Sequence, residues 1–160
     1  MRIAVVGGGA SGLMAAIAAK RDGNEVVIYE RGPRVGRKLL ATGNGRCNMT
    51  NMYASAGNYY GSEPEFIRDV IDRFWVNETL DFFTECGVLW KEEKDGKIYP
   101  YCDSASAVLD VLRQRTARVG VVTVCDFDVK SIEKTGRLIF LIVLFVFFPA
   151  EYPYLFWKSL

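Results

Sequence analysis

Residues 3–12 are Ile-Ala-Val-Val-Gly-Gly-Gly-Ala-Ser-Gly, and this stretch decides the fold. Its first four residues form a continuous apolar run, which is typical of a strand buried on both faces. Three glycines follow, and the alanine-rich segment from Leu13 to Arg21 indicates a helix ending before Gly23. The stretch therefore predicts a strand, a tight glycine turn and a helix.

The glycines satisfy the pattern G-x-G-x-x-G with Gly7, Gly9 and Gly12. The first permits the tight turn, the second lets a pyrophosphate approach the backbone, and the third lets the helix pack closely on the strand. The start of the helix, which includes Ala10 and Ser11, would offer N–H groups and a positive dipole end to phosphates. Because glycine-rich turns are common, the motif acquires weight only from its context.

The context is a second apolar run, Glu25 to Tyr29, which ends at Glu30. A carboxylate in this place can accept hydrogen bonds from both hydroxyls of an adenosine ribose, and it would repel a 2′-phosphate. Strand, turn, helix and strand together have the size of one βαβ unit. We therefore predict the α/β class and a Rossmann-like fold with a parallel sheet, bound to a cofactor that contains ADP. FAD and NAD both remain open at this point.

A polar segment follows, and we predict it to be mainly loop from Arg31 to Gly61 with a short helix near Lys38 to Ala41. Its centre, residues 37–51, is RKLLATGNGRCNMTN. It combines cations for phosphates with flexible backbone and with amide side chains that both donate and accept hydrogen bonds. A loop of this length is usually functional or disordered. A solvated basic loop is the alternative.

The remainder of the chain predicts helices, a hairpin and further strands. A capping box at residues 62–65 opens a helix with one apolar side, and Asn77 caps a second helix that stops at Gly87. Asp95-Gly96 is a hairpin turn signal. The strands that flank this turn are predicted at Val88–Trp90 and Lys97–Tyr99. After the hairpin we predict a helix from Asp103 or Ser104 to about Arg118, followed by strands at Val121–Val124 and Phe127–Ile132.

Composition narrows the chemistry. The 160 residues suit one domain with a core. The absence of histidine excludes Ser-His-Asp triads and His-containing metal sites from this chain, and the net charge of +1 gives no sign of a nucleic-acid partner. Four cysteines without a C-x-x-C pair fit reduced thiols, so we expect a cytoplasmic protein. The N-terminus lacks the layout of a signal peptide. We assign no metal ligands and no acid/base pair.

Three stretches resemble a bacterial family of flavoproteins that includes aminoacetone oxidases and bile-acid dehydroxylation reductases. They are GGGASGLMAA at residues 7–16, the acidic Glu30, and GRKLLATGNGRCNMTN at residues 36–51. The last is the most specific. The resemblance continues through DFFTECGV, the hairpin with KIYP and the helix after Asp103, and it covers roughly residues 1–136. It implies a longer FAD-dependent oxidoreductase in which a second domain is inserted into the FAD domain.

The resemblance also implies where the cofactor lies. The backbone at Val129 would meet the adenine, and the polar loop would lie along FAD toward its flavin end. We therefore predict non-covalent FAD, a small-molecule substrate, and NAD(P)H as a candidate electron donor; the oligomeric state is left open. The predicted cofactor-binding residues are Gly7, Gly9, Ala10, Ser11, Gly12, Glu30, Arg31, Arg37, Lys38, Thr42, Gly43, Asn44, Gly45, Arg46, Cys47, Asn48 and Val129.

The chain departs from the family after Gly136, where an A-T-G-G segment is expected. We therefore divide it into a partial FAD-binding domain, residues 1–136, and an atypical apolar tail, residues 137–160. Leu138 to Phe148 is an unbroken apolar run, which fits a buried strand or a truncated or out-of-frame end. A membrane anchor is disfavoured because a spanning helix needs about 20 residues. Two alternatives to an active FAD-dependent oxidoreductase remain: a catalytically incomplete nucleotide-binding fragment of such an enzyme, or an NAD-dependent dehydrogenase.

Some side chains have two interpretations. Cys47 could be a redox partner of the flavin, with Arg46 lowering its pKa, but a packed or ligand-lining thiol is favoured. Trp75, Trp90, Tyr99 and Tyr101 could stack on a ligand, but core packing is favoured. Cys86 and Cys125 are predicted to be core residues.

Overall fold

The computed structural model describes residues 1–60 and 64–132, which form two small sheets and their helices. A parallel sheet has the order β1-β2-β6, and an antiparallel sheet has the order β3-β5-β4. The α/β class, the Rossmann-like parallel sheet and the added hairpin are thus confirmed. The strands are β1 (Arg2–Val6), β2 (Glu25–Tyr29), β3 (Thr50–Asn51), β4 (Trp90–Glu92), β5 (Lys97–Pro100) and β6 (Val122–Val124).

Within the described residues, four α-helices and three short 3₁₀ segments connect the strands. The helices are α1 (Ala10–Arg21), α2 (Pro64–Arg73), α3 (Val76–Glu85) and α4 (Ala105–Arg118). The 3₁₀ segments are Arg37–Gly45, Ala56–Asn58 and Lys94–Gly96. Among these described helices, none combines the length and the apolar character that crossing a bilayer requires.

The predicted βαβ unit is present. Val5 of β1 pairs with Ile28 of β2, and Ile28 pairs with Thr123 of β6. Val5 and Ile28 are fully buried, whereas Ile3 packs against the core only in part, so the first strand is less enclosed than its sequence suggests. Helix α1 lies against this sheet and buries an apolar face made of Leu13, Ala16 and Ile17.

Helix α4 packs beside α1 and against the 3₁₀ segment Arg37–Gly45. It buries Val108, Leu109 and Leu112. The loop after β2 lies directly on this helix, because a Cβ added at Gly36 would come within 2.0 Å of Leu109 Cδ1. The helix therefore supports both the sheet and the polar loop.

The hairpin and the last helix follow the prediction. Asp95 and Gly96 both have positive φ, 64° and 72°, as a tight hairpin turn requires. Ser104 is the N-cap of α4, and the helix ends at Arg118. The short helix expected near Lys38 is part of the 3₁₀ segment Arg37–Gly45.

Two predicted boundaries are wrong. Helix α3 begins one residue before Asn77, because Glu78 accepts the N–H of its N-cap residue Trp75 at 2.8 Å. The first hairpin strand begins at Trp90 rather than Val88, because Val88 donates its N–H to the carbonyl of Phe83 near the end of α3.

The strand predicted at Phe127–Ile132 is absent. Asp126 has a φ of 54°, so the chain turns there, and the N–H groups of Asp126 and Phe127 donate to Gly32 and Glu30 instead. The residues Ser62 and Glu63 of the predicted capping box, and the apolar run 138–148, lie outside the described residues.

Candidate functional site

The glycine turn after β1 has the geometry that its spacing predicts. Gly7 has a φ of 96° and donates its N–H to Tyr29 O at 2.8 Å. A Cβ added at Gly12 would lie 1.9 Å from Gly7 O, so α1 can approach the turn only with glycine there. A Cβ at Gly9 would meet nothing within 4 Å, so Gly9 borders open space. The turn thus has a tightly packed side and an open side.

The N-terminus of α1 faces this open side. Gly9 is its N-cap residue and has extended backbone, with φ −72° and ψ −177°. As a glycine, it provides no side-chain cap, and the first turn of α1 holds no acidic residue. The positive end of the helix dipole is therefore available to an anionic ligand such as a diphosphate.

The carboxylate of Glu30 points to the same turn. Its Oε2 accepts the N–H of Gly8 at 2.7 Å, and its Oε1 accepts the N–H of Gly32 at 2.8 Å. An ionised carboxylate has about four acceptor positions, so these two bonds leave each oxygen able to accept one more. The two hydroxyls of a ribose would match that remaining capacity.

The segment after Glu30 folds back over the turn. Gly36 donates its N–H to Gly8 O at 2.7 Å, and Nη2 of Arg113 in α4 donates to Val35 O at 2.8 Å. A Cβ at Gly32 would lie 3.6 Å from Arg37 Cδ, so the exposed Arg37 lies beside the residue whose N–H donates to the Glu30 carboxylate. Arg31 and Lys38 are also exposed on this segment. These cations suit a phosphate-bearing ligand.

Val129 belongs to the segment that crosses this region. It is half-buried and lies three residues beyond Asp126, whose N–H donates to Gly32 O at 3.0 Å. The rings of Tyr29 and Phe127 pack at a tilt of 45° with centroids 4.9 Å apart, which places this segment against the end of β2. The N–H of Phe127, two residues before Val129, donates to Glu30 O at 3.0 Å, so the segment that carries Val129 leaves the sheet beside Glu30.

The polar loop is shaped by its own hydrogen bonds. Thr42 Oγ1 donates to Leu39 O at 2.6 Å, and the Cys47 N–H donates to Thr42 O at 3.0 Å. Asn48, with its amide nitrogen facing the hairpin, donates to Thr50 O at 2.8 Å. These inward bonds leave Asn44 and Gly45 exposed at the tip.

Cys47 is a buried thiol. Its φ is 64°, and burial raises its pKa, against which a hydrogen bond with Thr42 acts only in part. Arg46 points elsewhere, so the suggestion that Arg46 lowers this pKa is wrong. A thiol with a raised pKa is a weak nucleophile, which favours the packed interpretation.

The Arg46 side chain takes part in a network that the sequence interpretation missed. It binds Asp103 through Nε at 2.8 Å and Nη2 at 2.6 Å, and Nη2 also binds Glu93. Lys91 Nζ lies 2.6 Å from Asp103 Oδ2 and 3.5 Å from Glu93 Oε1. The guanidinium lies over the Tyr99 ring, 4.0 Å from its centroid. We name these four charged residues the Arg46 cluster.

The other cysteine and aromatic side chains for which core packing is predicted fall into a half-buried group and an exposed group. Cys86, Cys125 and Trp75 are half-buried and pack against the core, as predicted. Trp90 and Tyr101 are 36% and 68% exposed, so the core interpretation is wrong for both. Within residues 1–60 and 64–132, no group of three or more cysteine, aspartate and glutamate side chains is placed to hold a metal ion.

A parallel βαβ unit with an open glycine turn and a facing carboxylate defines a dinucleotide-binding domain of the Rossmann class. Residues 1–144 match the family model described as the HI0933-like protein Rossmann domain. The chain belongs to this family.

Similar proteins include oxidoreductases. The chain is 44% identical over 138 residues to the 3-dehydro-bile acid delta(4,6)-reductase of Clostridium scindens, covering 85% of this chain and 34% of that protein. It is 31% identical over 131 residues to the ribosomal RNA dihydrouridine synthase of Escherichia coli, covering 81% and 32%. The chain thus spans about a third of the length of these relatives.

Solved structures share the fold. The 3-ketosteroid-delta4-(5alpha)-dehydrogenase of Rhodococcus jostii RHA1 superposes with a TM-score of 0.55 at 18% identity, covering 78% of this chain and 37% of that one. A flavocytochrome c3 fumarate reductase superposes with a TM-score of 0.51, also at 18% identity, covering 78% and 26%. At this identity the likeness concerns the fold alone.

Proposed function

We propose that this chain is the FAD-binding part of a flavin-dependent oxidoreductase. The observation that carries the proposal is the Glu30 carboxylate, which faces the glycine turn and accepts the Gly8 N–H at 2.7 Å. The open space beside Gly9 and the start of α1, whose N-cap residue is this glycine, fit a diphosphate next to a ribose held by this carboxylate. Family membership and the reductase among the relatives support the same function.

Each part of the site has a proposed task. The backbone at Gly7 to Gly12, with Ala10 and Ser11, binds the diphosphate, and Arg31, Arg37 and Lys38 add positive charge. Val129 meets the adenine. The loop from Thr42 to Asn48 borders the flavin. When bound, the flavin supplies hydride transfer, while the protein binds and orients it.

The names of the two relatives support a more specific reaction. A delta(4,6)-reductase and a dihydrouridine synthase both, by name, add hydrogen to a double bond. We therefore propose reduction of a double bond in a small-molecule substrate, with NAD(P)H as the electron donor and a cytoplasmic location. Ribosomal RNA is the second candidate substrate, on the evidence of the relative's name. Product analysis with an enone and with uridine-containing RNA distinguishes the two.

The division of the chain is also a proposal. We propose that residues 1–136 contribute cofactor binding and that the tail, 137–160, adds nothing to it. The alternative is a fragment that binds FAD without turnover. Two results together would favour the fragment. The first is a bound flavin that no substrate in a screen oxidises or reduces, and the second is another reading frame that encodes A-T-G-G after Gly136.

Substitution of Gly9 by Val tests the cofactor site. The added side chain meets no protein atom within 4 Å of its Cβ, so the fold is retained, but it occupies the proposed diphosphate path. We expect purified Gly9→Val protein to lose flavin absorbance. Ala18→Val, on an exposed position of α1, is the matched control and should keep the flavin. Flavin absorbance in Gly9→Val equal to that of the wild type would refute the site, and binding of NAD without FAD would favour the dehydrogenase.

A further inference from the structure

We infer that Arg46 is a positioning residue, which orders the flavin-side loop through Glu93 and Asp103 instead of contacting the cofactor. The inference rests on the proposed function and assigns a different role to one of its predicted contacts. It also gives a role to Lys91, Glu93 and Asp103, which lie outside the predicted site.

The first observation is that the Arg46 guanidinium already has partners. Nε and Nη2 both bind Asp103, and Nη2 also binds Glu93. The four side chains of the Arg46 cluster are 30–41% exposed, so they are partly shielded from water. The N–H groups of Nε and Nη2 are directed at these two carboxylates, and moving the guanidinium toward a cofactor would leave each carboxylate paired only with Lys91.

The second observation is where the cluster is attached. Glu93 follows β4, Lys91 lies within it, and Asp103 immediately precedes the N-cap of α4. Arg46 therefore ties the polar loop to the hairpin and to the start of a buried helix at once. Charge-assisted bonds to two different elements restrict the loop more than one bond would.

The third observation is the close fit of the loop on Tyr99. The guanidinium lies 4.0 Å from the centre of this ring. A Cβ at Gly43 would lie 3.1 Å from Tyr99 Cε1 and 2.7 Å from Asn48 N. Loss of Arg46 would loosen the packing of the loop on Tyr99, and the exposed tip at Asn44 and Gly45 would become more mobile. The tip is then the part of the loop that meets the ligand.

A double-mutant cycle in the full chain tests the inference. The variants are Arg46→Gln, the acid-neutralised pair Glu93→Gln/Asp103→Asn, and all three changes together. If Arg46 acts through the two acids, each variant raises the Kd for FAD by roughly tenfold, and the triple variant is no weaker than Arg46→Gln alone. Arg2→Gln, which removes an exposed ion pair with Glu25 at the other end of β1, is the matched control and should leave the Kd unchanged.

Two further measurements separate positioning from general stability. The visible circular dichroism of saturating FAD should change in all three variants, because it reports the surroundings of the flavin. Any fall in the unfolding midpoint without FAD should be small enough to leave all three variants fully folded at the temperature of the binding assay. A larger fall that accounts for the lost affinity would overturn the inference in favour of a structural role.

A direct contact predicts a different pattern. In that case Glu93→Gln/Asp103→Asn would bind FAD as tightly as the wild type, only Arg46→Gln would weaken it, and the inference would fail while the proposed function stands. Failure of the wild-type chain to bind FAD at all would instead contradict the proposed function, and the inference with it.

Discussion

At the scale of single residues, the glycine turn separates positions that serve the fold from positions that serve a ligand. Gly12 faces Gly7 O, and an added Cβ would lie 1.9 Å from it. Gly9 faces open space and has an ordinary φ of −72°. Glycine is therefore present at position 12 because the fold leaves no room for a side chain, and at position 9 because a ligand would need the space.

Gly12→Ala tests this separation. The added methyl group must displace either α1 or the backbone at Gly7, and such overpacking costs about 1–3 kcal/mol. We expect the free energy of unfolding, measured in urea without FAD, to fall by that amount. Gly9→Ser is the matched control: it adds a Cβ where no protein atom lies within 4 Å, and serine is at least as favourable an N-cap residue as glycine, so the free energy of unfolding should not fall. Equal stability of the two variants would contradict the packing role of Gly12.

Glu30 also has two tasks at this scale. Its carboxylate links the glycine turn to the following loop through Gly8 and Gly32, independently of any ligand. Its spacing from the glycines predicts a ribose contact, but that spacing contains no information on the two backbone bonds. The proposed ribose contact and the local order of the turn are therefore coupled through one side chain.

At the scale of elements, the Arg46 cluster joins a loop, a hairpin and a helix. Hydrogen bonding to Arg46 lowers the pKa of Glu93, and the pKa of Asp103 is lowered chiefly by Lys91 and then by Arg46. The same contacts raise the pKa values of Lys91 and Arg46. A carboxyl with a lowered pKa stabilises the folded state above its unfolded pKa, roughly 4, and loses this effect as the pH falls through its folded value.

The pH dependence of unfolding follows from these directions. We expect the wild type to unfold at a higher temperature than Glu93→Gln/Asp103→Asn, with a constant difference between about pH 5 and 9 that disappears as the pH falls below about 4. Thermal unfolding followed by circular dichroism measures it. Other carboxyl groups titrate in both proteins, so the difference isolates the pair. A difference that keeps its full size as the pH falls from about 5 toward about 2 would contradict the role of these two acids.

At the scale of the whole molecule, FAD binding is expected to act on the entire fold. The proposed site joins β1, α1, the end of β2 and the loop after it, and α1 packs against α4. A ligand that binds only the folded state stabilises it by about 2.7 kcal/mol at 100 times its Kd. This stabilisation applies to the whole fold on condition that the chain unfolds in one step, with all its elements lost together.

We therefore expect saturating FAD to raise the unfolding midpoint by roughly 5–10 °C for a chain of this size. The adenosine half of FAD should give a smaller rise, and NADP the smallest, because Glu30 repels a 2′-phosphate. Differential scanning calorimetry with each ligand measures the order. A rise with NADP that matches the rise with FAD would contradict the assignment of Glu30.

The first thirty residues were predictable because their structure depends on neighbours in sequence. Strand, turn, helix and strand follow from apolar periodicity and from glycines at fixed spacing. The prediction failed at Phe127–Ile132, where apolar residues suggested a strand but the turn at Asp126 directs the chain to the loop after β2. It also failed for the exposed Tyr101, because the type of residue does not decide which side chains are covered.

By itself the sequence determined the βαβ unit, the glycine turn, the acidic residue at its side, and the family. Only the tertiary structure decided the role of the polar loop's side chains. Arg46 meets Glu93 and Asp103 from 47 and 57 residues away, and burial rather than sequence neighbours raises the pKa of Cys47. Periodicity and spacing describe contacts within one unit of the chain, whereas ion pairs between distant elements arise only once those elements have packed.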